Sequence, residues 1–475
     1  MQTPTGTVII IGASMAGLMA ARAVSPHVEK VIVVERDHLP SEPVARRGVP
    51  QGRHAHVMLG AGQNLLEGWF PGFSEELKLK GAVALYGDEM VWHQGGGHRR
   101  PADVGFVAMS MSRPALEHAL RRRLLAQRPT VEILDGTRVD DIVVDGAAVV
   151  GVRAAGRLIQ ADLVVDCSGR STRAFSHLAR AGYREPAQDA LRVDVAYRTR
   201  VLPRRAATFD ETSVVLVGDG PHRRVGTMVP VEGDRWIVTT ASVHGDTAPF
   251  DDIAFERFAY SLPSHEIASV VAAAARGSVE RHAIRGSRRR RVENAAHVPA
   301  GFVALGDALC AFNPIYGQGM AVAALEARLL GVVAERHSLG SARFVRAYNR
   351  GVARIVDVPW RMAAAGDFLH PKTTGDRPAG TGIAGRYLER VLRACTTSPA
   401  VSRQMMLVQN LLASPVSLAT PAMLVRVLAA SRRASDRAAA GAYAAPARGQ
   451  RVSVRGMAAL HADVLSAGAL SRATR

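Results

Sequence analysis

Cysteine is scarce in this sequence, and its three cysteines lie far apart. Cys167, Cys310 and Cys395 form no C-x-x-C pair, so neither a disulfide framework nor a structural zinc site is expected. This usage fits a reducing cytoplasm, which is the predicted location. We also predict no metal site, because the H-x-H pair of His54 and His56 has no cysteine or cluster of acidic residues near it in the sequence.

Acidic residues are fewer than basic residues in this sequence. The chain has 42 aspartates and glutamates against 60 lysines and arginines, which gives a formal net charge of +18. Such an excess can neutralise the phosphates of a nucleic acid. Aromatic residues make up only 5% of the chain, however, and none is interleaved with the dense arginine runs at 121–123 and 285–292. Single-strand binding surfaces use such stacking side chains, so we expect no nucleic-acid partner and interpret both runs as solvated faces.

One long stretch without charge is interrupted by prolines. Residues 404–425 contain Pro415, Pro421 and the Gln409–Asn410 pair, which argue against a membrane-spanning helix. We expect two packed helical turns over an apolar pocket here, with an interfacial membrane patch as the alternative. The apolar N-terminus has no basic residue before it and no clean cleavage context, so we expect it to remain in the fold.

A glycine turn follows the first apolar run. The stretch VIIIGASMAGLMAARAV places Gly12 and Gly17 around Ser14, at the position where the G-x-G-x-x-G fingerprint has its middle glycine. A β-branched run, a helical stretch and a second run ending at Glu35 complete a βαβ unit. We therefore predict that the helix start faces a pyrophosphate and that Glu35 accepts a hydrogen bond from a ribose hydroxyl. A buried βα unit without a ligand is the alternative.

Two later stretches repeat the pattern of an apolar strand followed by a turn. The segment ADLVVDCSGRSTRAF ends its apolar run at Asp166 and turns at Gly169. The segment GFVALGDALCAFNPIYGQGM places Asp307 after a strand and Gly319 at the start of a long helix. Ligands of such sheets bind at the carboxyl ends of the strands. We therefore expect three strand ends to converge on one ligand.

The order of these three motifs resembles that of the FAD-dependent monooxygenase superfamily typified by p-hydroxybenzoate hydroxylase. The stretch RRGVPQGRHAHVML at 46–59 is similar to the corresponding part of bacterial flavin epoxidases of polyether biosynthesis, of the lasalocid and monensin type. The sequence departs from the family at Ser14 and in DCSG, where two residues separate Asp166 from Gly169. The W-x-W-x-I-P signature of flavin halogenases and the Y-x-W-x-F-P signature of related reductases are absent, which argues against halogenation.

The resemblance assigns roles to single residues. Asp307 would accept hydrogen bonds from the ribityl hydroxyls of FAD, and the helix beginning near Gly319 would direct its positive end at the flavin edge that becomes anionic on reduction. Arg113 would contact the FAD phosphates, and Arg53 is preferred as the further family arginine because a helical pattern follows it. No catalytic side chain is named. The candidates for the flavin face are Pro314, Gly317 and Gln318. The predicted cofactor-binding residues are Gly12, Ser14, Met15, Ala16, Gly17, Glu35, Arg36, Arg53, Arg113, Val139, Asp166, Gly169, Asp307, Gly319 and Met320.

The same resemblance implies a fold and a domain organisation. The predicted class is α/β, with a Rossmann-like FAD-binding domain on a parallel sheet, a mixed or antiparallel substrate-binding sheet and a C-terminal helical region. Strand-like runs at 191–245 and an expected strand pair around HQGGGHRR support the second sheet. The helical region is expected to end in a loosely held tail from about residue 432. The predicted boundaries are 1–81, 113–185 and 281–340 for the FAD-binding domain, 82–112 and 186–280 for the substrate-binding domain, and 341–475 for the helical region.

The resemblance also implies a reaction. Reduced FAD would react with O2 to give a C4a-hydroperoxide and transfer one oxygen atom to an alkene of a hydrophobic polyketide or polyene in secondary metabolism. Aromatic hydroxylation of a phenol is an alternative, and a flavin-dependent C=C reductase or dehydrogenase is another. A basic FAD-binding protein without turnover is the remaining one. Electrons would come from NAD(P)H or from a separate flavin reductase. The side chains proposed to assist a phenol substrate are Tyr86, His93, Tyr197 and Tyr316.

Overall fold

The structure is a computed structural model and describes residues 5–204, 213–218, 223–245, 251–295 and 297–439. The strands are β1 (Thr7–Ile11), β2 (Lys30–Val34), β3 (Val83–Leu85), β4 (Met90–His93), β5 (Ala108–Ser110), β6 (Val131–Leu134), β7 (Val139–Asp145), β8 (Ala148–Ala154), β9 (Arg157–Gln160), β10 (Leu163–Asp166), β11 (Gln188–Pro203), β12 (Ser213–Val217), β13 (Val225–Val231), β14 (Arg235–Val243), β15 (Glu280–Arg290), β16 (Phe302–Ala304), β17 (Cys310–Ala311) and β18 (Thr374–Gly375). The helices are α1 (Met15–Val24), α2 (Gly60–Trp69), α3 (Phe73–Leu79), α4 (Arg113–Gln127), α5 (Ala174–Arg180), α6 (Asp252–Tyr260), α7 (Glu266–Ala273), α8 (Gly319–Arg336), α9 (Ala342–Asp367), α10 (Thr381–Ala394), α11 (Pro399–Gln409) and α12 (Pro421–Ala439).

A five-stranded parallel sheet has the order β16–β10–β1–β2–β6. Its strands are β-branched and apolar, and residues 8–10 are fully buried, as expected for a parallel sheet that is covered on both faces. In register, Ile11 lies opposite both Val34 and Asp166, and Asp166 lies opposite Ala304. The carboxyl ends of four strands therefore meet at one edge.

Helices α1 and α8 pack closely against each other beside this sheet. Small residues allow the approach: a Cβ on Gly331 of α8 would lie 2.7 Å from the Ala23 carbonyl oxygen of α1. At the other end of the pair, a Cβ on Gly306 would lie 3.0 Å from the Cβ of Ala16. The turn that precedes α8 is thus held against the first turn of α1.

The second sheet has the order β17–β15–β11–β14–β13–β12–β4, with β18 paired to β11. Its neighbours are antiparallel except β12 and β4, which are parallel. Helices α6 and α7 cover one face through a core that includes Trp236, Phe255 and Phe258. The parallel sheet, the mixed sheet and the C-terminal helices confirm the predicted fold class.

The strand pair expected within residues 82–112 is formed by β3 and β5, which lie on either side of the turn HQGGGHRR. Strand β4 extends the second sheet, and the glycine turn itself contributes only an isolated bridge between His93 and His98. A Cβ on Gly95 would lie 2.6 Å from the carbonyl carbon of Leu392 in α10. The turn therefore packs its backbone against the C-terminal helices, and this contact replaces a regular hairpin.

The C-terminal helices α10, α11 and α12 form a cap with its own apolar core, built around Val391, Val401 and Val427. Residues 404–425 form the end of α11, a 3-10 helix at Pro415–Ala419 and the start of α12, which agrees with the expected packed turns. Residues up to 439 continue α12, so the tail expected from about 432 begins as helix, and residues 440–475 lie outside the described part. Among the helices described, none is long and apolar enough to cross a membrane.

Candidate functional site

A cavity of about 1060 Å³ lies where the parallel sheet, the second sheet and the C-terminal cap meet. One end is lined by the turns that follow the parallel strands, and the other by apolar side chains of the second sheet and the cap. The predicted site residues that line it are Ser14, Met15, Ala16, Arg36, Arg113, Gly169, Asp307, Pro314, Gly317, Gln318, Gly319 and Met320.

The fingerprint turn is held tightly by its two glycines. Gly12 has φ +102°, a conformation that favours glycine, and its N–H donates to the Val34 carbonyl at 2.8 Å. A Cβ on Gly17 would lie only 1.8 Å from the Gly12 carbonyl oxygen. Neither glycine lines the cavity. They instead allow the turn that brings Ser14 and Ala16 to its wall.

Ser14 and Arg113 form a polar cluster beside this turn. The Arg113 guanidinium, 6% exposed, donates to the Ser14 hydroxyl at 2.8 Å, and that hydroxyl donates to Glu117 at 2.7 Å. Burial lowers the pKa of Arg113, and the carboxylates of Glu117 and Asp307 oppose this effect. A buried guanidinium that lines the cavity favours an anion there, as predicted for Arg113. The Ser14 hydroxyl, expected to face a phosphate, is engaged within the protein.

Glu35 is held by protein groups rather than pointing into the cavity. Its carboxylate accepts from the Ala13 N–H at 2.8 Å and from the Asp37 N–H at 3.0 Å. The Arg46 guanidinium, which is 8% exposed, lies 3.1 Å from the same carboxylate and also contacts Asp37 and Glu117. Glu35 therefore has partners other than the expected ribose.

Two other predicted residues lie away from the cavity. Arg53 is half exposed and pairs with Glu280 at 3.0 Å, whereas Arg46 reaches Glu35 and Arg47 lines the cavity. Sequence reasoning preferred Arg53 because a helical pattern follows it, but that pattern does not show which arginine turns inward. Val139 begins β7 and pairs with Ala154 in a separate three-stranded sheet.

Asp166 stabilises the turn that follows β10. It is fully buried, and its carboxylate accepts from the Ser168 N–H at 3.0 Å, from the Ser168 hydroxyl at 2.6 Å and from the Thr172 hydroxyl. Burial raises the pKa of this carboxyl, and these hydrogen bonds counteract the rise. The two residues inserted in DCSG thus let Ser168 cap Asp166 while Ser168 and Gly169 line the cavity.

Asp307 lies on the third turn and faces the cavity. Its carboxylate is 3.5 Å from the Arg170 guanidinium, and its side chain is 36% exposed. The enclosed position raises its pKa, which Arg170, Arg113 and Arg288 oppose. Below this turn, the fully buried Glu326 accepts the Gly306 N–H at 2.6 Å. Sequence reasoning missed Glu326, although a single acid within the apolar stretch of α8 was a usable signal.

The loop before α8 presents its backbone to the cavity. Gly317 has φ +67°, and a Cβ there would meet no atom within 4 Å. Gln318 is 4% exposed, and its side-chain oxygen has no hydrogen-bond partner within the described residues. Tyr316 donates to Asp367 at 2.9 Å, and Asn313 donates to the same carboxylate oxygen at 2.8 Å. Burial raises the pKa of Asp367 to about 6. Nothing in the sequence indicated these hydrogen bonds from Asn313 and Tyr316 to Asp367.

Uncharged polar groups line the cavity between its two ends. His54 bonds to the Thr199 hydroxyl at 2.7 Å, and burial lowers its pKa to about 4. Burial also lowers the pKa of His56 to about 3 and that of His282 in the same direction. These imidazoles are therefore neutral near pH 7. No metal-binding cluster is present in the described part of the chain. The Tyr197 hydroxyl has no hydrogen-bond partner there either.

Of the four side chains proposed for a phenol substrate, Tyr197 and Tyr316 line the cavity, whereas Tyr86 and His93 do not. Burial raises the pKa of both lining tyrosines well above the ordinary value. Both phenols are therefore neutral near pH 7 and act as hydrogen-bonding groups.

The far end of the cavity is apolar and is lined by the cap. Its lining includes Trp92 and Phe106 together with Leu388 and Met406 from the cap. Asn410 fixes the cap to α2, because its side-chain oxygen accepts the Gly60 N–H at 3.0 Å and its carbonyl accepts the Ala61 N–H at 3.0 Å. The cap is thus attached directly to the segment that carries the histidines.

These features fit FAD. The glycines leave no room for a side chain at the turn, and a buried arginine and a carboxylate line the polar end. A buried amide oxygen at Gln318 lacks a partner among the residues that the structure describes. Arg113 would hold the phosphates, Asp307 the ribityl hydroxyls, and the backbone of 317–319 the flavin ring. The adjoining apolar compartment leaves space for a second, hydrophobic molecule.

Solved structures of flavin enzymes share this fold. The flavin-dependent brominase Bmp2 superposes with a TM-score of 0.63 at 14% identity, covering 92% of this chain and 100% of that one. The 2-methyl-3-hydroxypyridine-5-carboxylic acid oxygenase gives 0.57 at 17%, covering 82% and 97%. PqsL from Pseudomonas aeruginosa, described as a probable FAD-dependent monooxygenase, gives 0.53 at 17%, covering 84% and 98%.

A sequence relative is more similar. Protein Rv3254 of Mycobacterium tuberculosis is 32% identical over 420 residues, which cover 84% of this chain and 88% of that protein. No protein-family model matches the sequence. With this identity over most of both chains, the protein belongs to the family of Rv3254, and its fold is that of FAD-dependent monooxygenases.

Proposed function

We propose that the protein is an FAD-dependent monooxygenase that inserts one oxygen atom from O2 into a hydrophobic small molecule. The observation that carries the proposal is the continuity of the cavity, which joins the three turns at the end of the parallel sheet to an apolar compartment under the cap. When bound, FAD supplies the redox chemistry and the activation of O2. The chain would bind, orient and shield the reacting groups.

The polar end suits the cofactor and the apolar end suits the substrate. Arg113 offers a buried positive charge for phosphates, and Asp307 offers a carboxylate for neutral hydroxyls. The start of α8 at Gly319 directs its N–H groups toward the same space. Apolar side chains of the second sheet and the cap line the other end, which would favour a hydrophobic substrate there over water.

Epoxidation of an alkene, in a polyketide or polyene of secondary metabolism, is the preferred reaction. The groups facing the substrate space, His54, His56 and Tyr197, are neutral near pH 7 because burial disfavours their charged forms. Oxygen transfer to an alkene requires no proton to be removed from the substrate, so neutral walls suffice. The similarity of residues 46–59 to polyether epoxidases supports the same choice.

Aromatic hydroxylation is the second candidate. It is favoured by the Tyr197 hydroxyl, which lines the cavity and has no hydrogen-bond partner within the described residues. A phenol placed in the cavity would satisfy that hydroxyl. Electrons would come from NAD(P)H or from a separate flavin reductase in either case.

The test uses isotopic oxygen. The purified protein is loaded with FAD, reduced anaerobically with dithionite, and mixed with 18O2 and either a hydrophobic alkene or a phenol. We expect one 18O atom in an epoxide, whereas an 18O-labelled catechol supports the second candidate. A saturated product without label identifies a C=C reductase and refutes the proposal.

Asp307→Ala is the matched test of cofactor binding. We expect at least about a tenfold loss of bound FAD, since a charge-assisted hydrogen bond contributes about 1.5–3 kcal/mol. Asp162→Ala, whose carboxylate binds the Thr7 N–H away from the cavity, is the control. Equal FAD content in the two variants contradicts the placement of the cofactor.

A further inference from the structure

The cavity reaches the protein surface through an apolar rim. Val416, in the 3-10 helix at Pro415–Ala419, lines the cavity and is 72% exposed, and Val358 of α9 lines it and is 40% exposed. Ala384 and Ala419 also line the cavity and are exposed. A substrate that enters here passes aliphatic side chains from the outset.

Exposed aliphatic side chains continue outside this rim on the cap. Ile383 of α10 is 72% exposed, and Val425 of α12 is 68% exposed. Leu424 and Leu428 of α12 are 37% and 42% exposed. These four residues do not line the cavity. Together with Val416 they are called the mouth surface below.

The elements that carry the mouth surface are fixed side by side. The Tyr387 hydroxyl of α10 donates to the Leu418 carbonyl at 2.6 Å, and the Thr397 hydroxyl donates to the Ala430 carbonyl at 2.8 Å. Helix α12 therefore runs alongside α10 from the 3-10 helix onward, and both helices carry exposed aliphatic side chains.

Positive charge surrounds the mouth surface. The segment 381–439 contains eight arginines and two acidic residues. Arg386 and Arg390 on α10, and Arg426, Arg432 and Arg433 on α12, are exposed. Aliphatic side chains next to exposed arginines are typical of helices that lie in the interface of an anionic membrane.

We propose that the mouth surface docks on an anionic lipid bilayer and that the cavity takes its lipophilic substrate from that bilayer. The uptake of substrate from the bilayer rests on the proposed function, whereas the docking itself is measured without any turnover. A bilayer fits better than a soluble partner because exposed aliphatic side chains and exposed arginines occur together on the cap that lines the apolar end of the cavity. A substrate dissolved in lipid would then reach the flavin without crossing water.

Flotation with vesicles tests the proposal. The FAD-loaded protein is mixed with phosphatidylcholine vesicles that contain phosphatidylglycerol or lack it. We expect binding to the anionic vesicles, weakened by high salt, and at least about tenfold weaker binding of a variant with both Val425→Glu and Leu428→Glu, which loses apolar contact and gains repulsion. Leu79→Glu, at a 90% exposed position on α3 away from the cap, is the control and should bind like the parent protein.

Three results would overturn the inference. They are the absence of vesicle binding by the parent protein, binding of the Val425→Glu and Leu428→Glu variant as strong as that of the parent, and binding of a soluble acidic carrier protein in place of vesicles. Neither changed residue lines the cavity, so FAD content and 18O incorporation into a water-soluble substrate should stay unchanged. Loss of binding with intact turnover therefore separates this inference from the proposed function.

Discussion

Glu326 makes the stability of the protein depend on pH. This carboxyl is fully buried on α8, and burial raises its pKa from 4.5 to about 8. Between these values the folded protein keeps a proton that the unfolded chain has released. The free energy of unfolding therefore falls as pH rises from 4.5 to about 8.

The size of this change in unfolding free energy follows from the width of the same pH interval. Each pH unit corresponds to about 1.4 kcal/mol, so the full interval is worth up to about 5 kcal/mol. Glu326→Gln carries no titrating proton and keeps an acceptor for the Gly306 N–H. We expect this variant to match the parent near pH 4.5 and to be more stable by several kcal/mol near pH 8.

The assay is guanidinium unfolding followed by tryptophan fluorescence at pH values across the window. Glu335→Gln, at an exposed position on the same helix, is the control and should leave the pH dependence unchanged. If Glu326→Gln keeps the parent's pH dependence, or is less stable than the parent at the alkaline end, the assignment of a buried, protonated carboxyl is refuted.

Two further predictions concern the cofactor end of the cavity. Gly17→Ala places a Cβ 1.8 Å from the Gly12 carbonyl oxygen. We therefore expect a loss of about 2 kcal/mol or more in stability and a lower ratio of flavin absorbance to protein absorbance. Gly68→Ala is the control and should behave like the parent, because a Cβ there meets no atom within 4 Å. Tyr316→Phe removes a hydrogen bond that lowers the pKa of Asp367, which burial raises to about 6. The pH interval over which unfolding free energy falls should then extend to higher pH, and an unchanged interval would contradict the role of this bond.

The fold class was predictable because its signals are local. The β-branched runs that end at Ile11, Val34 and Asp166 show in the sequence where parallel strands stop, and glycine marks the turns. The convergence of three turns on one cavity followed from the rule that parallel strands end at the same edge. These inferences need no knowledge of which distant side chains meet.

The contacts that the sequence does not reveal depend on such meetings. Whether Arg46 or Arg53 reaches Glu35 is decided by how the loop packs on α4, because Arg46 also binds Glu117 across 71 residues of sequence. The burial of Glu326 likewise depends on the turn at Gly306, which belongs to another element. A single sequence shows the residue types at these positions, but not the partners that fold against them.

The attachment of Asn410 to Gly60 joins positions 350 residues apart. The last helices of the described chain thus line the apolar end of the cavity. The turns that line its polar end belong to earlier segments of the chain. Under the proposed function, substitutions in the cap are therefore expected to alter which molecules are oxidised without altering the residues proposed to hold FAD.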